Sequence, residues 1–97
     1  MKRRVVVTGI GPITSIGIGK RDFFDSLLAC ETNVKEIPAA YEVRCRFKSR
    51  YYTPFPDFRM PDEVETKYEN VMEKTSQLAV AATHLALRDA GLKNVER

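Results

Sequence analysis

The 97-residue chain has no tryptophan, a single histidine and only two cysteines. Cys30 and Cys45 form neither a CxxC pair nor a ligand set with His84, so the spacing excludes a zinc ribbon, a haem-attachment motif and a thioredoxin-like redox centre. Both cysteines read as reduced structural thiols. His84 falls inside a helical pattern and reads as structural. No apolar run approaches the ~18 residues of a membrane span. The apolar stretch after Lys2-Arg3-Arg4 is too short for a secretory leader. A cytoplasmic location is therefore the default. Charge of one sign is also scarce, since 16 basic residues stand against 13 acidic ones for a net +3. Arg44-Cys45-Arg46-Phe47-Lys48-Ser49-Arg50, with Tyr51 and Tyr52, mixes cations and aromatics. It reads as a solvated strand or loop, and no nucleic-acid partner is expected. Hydrophobic residues make up 43% and charged residues 30%, which suits a small globular unit.

The start of the chain is rich in information. Val5, Val6 and Val7 are β-branched and uninterrupted, which predicts a strand over 3–8 buried on both faces. Thr8-Gly9-Ile10-Gly11 follows. A dinucleotide site needs G-x-G-x-x-G opening a helix. Here Pro12, Ile13 and Thr14 follow Gly11, and the third glycine is missing. Gly17 and Gly19 delay any helix to about Lys20, so a pyrophosphate at Gly9–Gly11 would meet no helix N-terminus. The turn is expected to be architectural. Gly9 or Gly11 should have positive φ or lie against another backbone segment.

Further elements follow from periodicity. A glycine-rich turn is predicted over 9–19 and a helix over 20–29, with Phe23, Phe24, Leu27 and Leu28 on one stripe and Asp22 in the first turn. Residues 31–62 hold four of the five prolines. A short strand is predicted over 41–47, and an irregular connection over 51–61, where prolines remove ladder donors. The strongest pattern predicts a helix over 68–90. Leu78, Ala82, Leu85 and Asp89 lie along one edge, and Met72, Thr75, Ala79, Ala82, Ala86 and Ala90 form a small-residue stripe. Gly91 is placed to close that helix in a left-handed conformation, with Leu92 folding back on Leu87. No linker or internal repeat interrupts the chain.

Three stretches together resemble the N-terminal portion of a β-ketoacyl-acyl-carrier-protein synthase, the type II elongating condensing enzymes of the thiolase-like family. They are Arg3-Arg4-Val5-Val6-Val7-Thr8-Gly9-Ile10-Gly11, then Phe23-Phe24-Asp25-Ser26-Leu27-Leu28-Ala29, then the run from Met72 through Ser76-Gln77-Leu78-Ala79-Val80-Ala81-Ala82 to Ala86-Leu87-Arg88-Asp89-Ala90-Gly91-Leu92. The resemblance covers both ends and is weak over 41–70. Departures are specific. Cys30 replaces a helix-ending glycine. Asn33 stands where the family commonly has glycine, and asparagine is the next best residue for a left-handed turn. Glu73 replaces aspartate.

The resemblance implies an α/β fold: the first core strand and two helices of a layered α/β/α/β/α core. Residues 1–97 would be the N-terminal portion of the synthase N-terminal domain, with the rest of that domain outside this chain. It implies a homodimeric acyltransferase that condenses an acyl thioester with malonyl-carrier protein by decarboxylative Claisen condensation, in fatty acid or polyketide synthesis. No metal or organic cofactor is implied. The family's nucleophilic cysteine and two histidines lie beyond the matching point, so no catalytic residue is assigned here. The partner implied is the acidic acyl carrier protein. Where the family carries basic docking residues, this chain has Asp62, Glu63, Glu65 and Glu69 around Lys67. Like charges repel an acidic partner, which leaves Lys67 and Lys74 as the docking charges. The acidic run also admits a non-catalytic, chain-length-factor-like or assembly subunit of the same fold.

Overall fold

The computed structural model describes residues 2–42, 48–61 and 70–92. Its longest element is a helix over Lys74–Asp89, and a second helix spans Lys20–Leu28. We label the elements β1 (Ile13–Thr14), β2 (Gly17–Ile18), α1 (Lys20–Leu28), β3 (Lys35–Glu36), α2 (Ala39–Glu42), β4 (Tyr51–Tyr52) and α3 (Lys74–Asp89). β1 pairs antiparallel with β2, Ile13 opposite Ile18 and Thr14 opposite Gly17. β3 pairs antiparallel with β4, Lys35 opposite Tyr52 and Glu36 opposite Tyr51.

Both long helices end in the same closure. After α1, the Cys30 N–H donates to the Leu27 carbonyl (3.1 Å) and the Glu31 N–H to the Ser26 carbonyl (2.9 Å), with Cys30 at φ +56°. After α3, the Gly91 N–H donates to Arg88 (3.1 Å) and the Leu92 N–H to Leu87 (2.9 Å), with Gly91 at φ +75°. These are the paired bonds of a Schellman motif, which satisfy otherwise orphaned carbonyls. Gly91 sits as its position in the sequence predicts. Cys30 takes the left-handed place at a steric cost that glycine would avoid. Asn33, in contrast, has no positive φ. Its side-chain amide donates to the Ser15 carbonyl at 3.0 Å. Ser26 Oγ donates to the Ile16 carbonyl at 2.7 Å. The two side chains therefore clamp the β1–β2 turn onto α1 and its exit loop.

Several expectations need correction. Residues 3–8 form no ladder, and Val5, Val6 and Val7 are 91%, 72% and 82% exposed. A strand exists only through hydrogen bonds to a neighbour, and none of the described residues pairs with this segment. The 9–19 turn contains the β1–β2 hairpin. Its loop, Ser15-Ile16, has none of the Asn-Gly chemistry that announces such a turn. Tyr41 and Glu42 belong to α2, not a strand, because Pro38 with Ala39-Ala40 starts a helical turn in which the Tyr41 N–H donates to the Pro38 carbonyl (2.9 Å). The remainder of that expected strand, 43–47, lies outside the described residues. Tyr51-Tyr52 pairs with β3, whereas 53–61 is irregular as expected. The last helix starts at Lys74, not near residue 68, and Gln77 Nε2 reaches back to the Met72 carbonyl (3.1 Å). Asn70 and Val71 are weak helix formers before it. Residues 68 and 69 lie outside the described residues.

Packing is sparse. Among the described residues only Met60 (7%) and Ala81 (3%) are buried hydrophobics. The accessible surface is 8946 Å², against roughly 5,700 Å² for a folded monomer of this mass. The radius of gyration is 17.2 Å, against about 13 Å for a self-contained domain of this size. An apolar valine segment without a paired edge is an association hazard. The isolated 97 residues are therefore expected to self-associate or to melt without a sharp transition. Light scattering with thermal unfolding checks this, and a monodisperse, cooperatively melting monomer would contradict it.

Candidate functional site

Gly9 and Gly11 meet α3 along its small-residue stripe. A Cβ on Gly9 would run into the Ala86 carbonyl and lie 2.7 Å from the Ala90 nitrogen; on Gly11 it would run into the Ala82 carbonyl and lie 2.5 Å from the Ala86 nitrogen. Neither glycine has positive φ. The close-approach alternative is therefore the correct one. Ala82, Ala86 and Ala90 are the part of the stripe that makes this contact, whereas Thr75 and Ala79 are exposed. Backbone of α3 stands where a side chain on either glycine would point, and α1 begins only after the hairpin, so no helix N-terminus meets the Gly9–Gly11 turn. The dinucleotide reading ends there.

Asp89 fastens the same seam. Its Oδ2 accepts the Ile10 N–H at 3.0 Å, and its Oδ1 is ion-paired with Lys20 Nζ. One carboxylate thus ties the glycine segment, the start of α1 and the end of α3 together. The hydrogen bond from Lys20, then that from Ile10, holds the Asp89 carboxyl below its ordinary value of 3.8.

Lys74 is the first residue of α3 and is exposed. Its ammonium lies 5.0 Å from the centroid of the Phe58 ring. Lys67 lies outside the described residues, so the structure places one of the two predicted docking charges. Cys30 is an exposed free thiol at the α1 closure, and Cys45 lies outside the described residues. His84 is half-buried in the middle of α3. No group of three metal-ligating side chains occurs among the described residues. No helix among them is long and apolar enough to cross a membrane. Sequence reasoning missed a hollow of about 340 Å³ beside the β3–β4 pair, lined by Ile37, Pro38, Tyr41, Tyr51 and Tyr52 with Lys48 and Ser49. Part of its wall comes from α2 and β4, two elements that periodicity did not predict.

Comparison with known proteins adds to this geometry. Residues 2–97 match the family described as β-ketoacyl synthase, N-terminal domain. The chain belongs to that family. A polyketide β-ketoacyl synthase by name, from Streptomyces violaceoruber, is 33% identical over 92 residues, covering 95% of this chain and 21% of that protein. A 3-oxoacyl-[acyl-carrier-protein] synthase 2 from Synechocystis is 32% identical over 93 residues, covering 94% of this chain and 21% of its own. The crystal structure of a β-ketoacyl synthase from Burkholderia phymatum superposes with a TM-score of 0.78 at 32% identity, over 98% of this chain and 23% of that one. The chain thus spans about a fifth of the length of its curated relatives. Its α/β arrangement is the N-terminal part of the thiolase-like fold.

Two outcomes test this seam. In the full-length protein, Gly11→Ala should lower stability by about 1–3 kcal/mol, the usual cost of overpacking, read as a loss in thermal midpoint. Asp89→Asn should lower the midpoint at neutral pH. The Asp89 contribution is full above 3.8 and fades as pH falls through the lowered folded-state value. The gap between variant and wild type should therefore close in acid, and a gap of constant size would contradict the assignment.

Proposed function

We propose that the protein carrying this segment is a 3-oxoacyl-[acyl-carrier-protein] synthase, with residues 1–97 as the N-terminal portion of its first domain. The observation that supports this most is the family match over residues 2–97. In the proposed reaction a cysteine thiolate outside this chain takes the acyl group from its thioester and releases the carrier thiol. Malonyl-carrier protein then loses carbon dioxide. The resulting enolate carbon attacks the acyl-enzyme, forming the carbon–carbon bond and regenerating the thiolate. Histidines outside this chain would hydrogen-bond to the developing enolate. The segment's own part is structural: it fixes the glycine seam and presents the start of α3. The working protein would be a homodimer in the cytoplasm and would use no metal or organic cofactor. Incubating the full-length protein with acyl and malonyl thioesters should release carbon dioxide and yield a 3-oxoacyl thioester.

A second reading, a non-catalytic chain-length-factor-like subunit, is favoured by the acidic run around Lys67. It predicts neither product nor acyl-enzyme in that assay.

Docking of the acidic carrier protein is assigned to Lys67 and Lys74. Replacing both by Glu in the full-length protein should slow association, chiefly in kon and most at low salt, because steering between exposed charges is screened by ions. Stopped-flow mixing with carrier protein measures it. An unchanged rate would move the docking surface elsewhere.

A further inference from the structure

Lys74 sits where a helix does not favour it. The first residue of α3 lies at the positive end of the helix dipole, where carboxylates are stabilised and ammonium groups are not. The preceding residue, Glu73, makes no side-chain cap bond, and no acidic residue lies in the first turn. What the Lys74 ammonium does have is an aromatic face, the Phe58 ring at 5.0 Å, within the range of an attractive cation–π contact.

The ring is held by a restrained segment. Between residues 54 and 60, exposure alternates. Pro54, Pro56 and Phe58 are half-buried and Met60 is buried, while Phe55, Asp57 and Arg59 are exposed. This is an extended chain lying with one side against the protein. Pro54, Pro56 and Pro61 limit its backbone, and Met60 anchors it. Phe58 is thus held in place beside a long, otherwise flexible side chain. A lysine stem has four rotatable bonds and loses much freedom when its head is captured. Here part of that loss is met before any partner arrives, through contact with the ring.

We propose that Phe58 is a positioning residue for Lys74, holding its ammonium at the amino end of α3 as a ready-made docking charge for an acidic protein surface. This rests on the docking reading above. The ring bears no charge and need not touch the partner; it acts through Lys74.

The test is a double-mutant cycle in the full-length protein, with acidic carrier protein as the probe and the association rate at low and at high salt as the readout. Phe58→Leu should slow association by about two- to fivefold at low salt, the range expected from an exposed cation–π contact. Phe58→Tyr, which keeps a ring face, should restore the rate. In a Lys74→Gln background, Phe58→Leu should have no further effect. Independently, the Lys74 methylene protons nearest the ammonium should show an upfield ring-current shift in the free protein, lost in Phe58→Leu. The inference is overturned if Lys74→Gln slows association and Phe58→Leu does not, if Phe58→Leu slows it equally without Lys74, or if the ring-current shift is absent. If Lys74→Gln leaves the rate unchanged, the docking reading itself fails and the inference falls with it.

Discussion

The fold of this segment depends on how closely two backbones can approach. The Gly9–Gly11 stretch lies against α3 at a distance that admits no side chain on either glycine, and Ala82, Ala86 and Ala90 are the residues that permit it from the other side. Bulk on either surface would push the two apart. Once the backbones are this near, the Ile10 N–H comes within hydrogen-bond reach of Asp89, and Asp89 in turn can hold Lys20 at the start of α1. Ser26 and Asn33 then hold the hairpin's turn, together with the Thr14 hydroxyl on the Gly17 carbonyl. Steric exclusion at the seam sets the arrangement, and the polar contacts fasten it.

That seam is legible in the residue types alone. Two glycines one residue apart and alanines every four residues each signal close approach, and the structure brings them together. Helix closures were also legible, because Gly91 and Leu92 have one natural role after a run of helix formers. What failed were the strand assignments and the side-chain partners that a local window does not show. Val5-Val6-Val7 reads as a buried strand from composition, but its exposure depends on which chain segments lie beside it. The β1–β2 hairpin turns on Ser15-Ile16, which has no special backbone preference. Two of the side chains that hold it, at positions 26 and 33, are invisible to a local window. Lys74 could be named as a charge, but nothing in its spacing pointed to Phe58, sixteen positions earlier.

The tight seam stands among open surroundings. Atoms along Gly9–Gly11 and α3 are in contact, yet only two hydrophobic residues are buried among the described ones. α1 still shows Phe24, Leu27 and Leu28 to solvent, and β4 shows both tyrosines. Such surfaces are ordinary for one part of a layered fold whose layers come from distant stretches of chain. The family relationship, with relatives about five times as long, fits a part of this kind.

The bond from Ile10 to Asp89 joins residues 79 positions apart, which makes it a matter of timing as well as energy. A ribosome adds about 5–20 residues per second, so the amino-terminal segment waits on the order of ten seconds for α3 to be made. Through that interval the glycine stretch has no α3 to lie against. Closing so long a loop costs little more entropy than closing one half its length, and the burden falls on time rather than on equilibrium. When α3 arrives it covers the glycine stretch, whereas Val5, Val6 and Val7 stay open to whatever binds apolar segments.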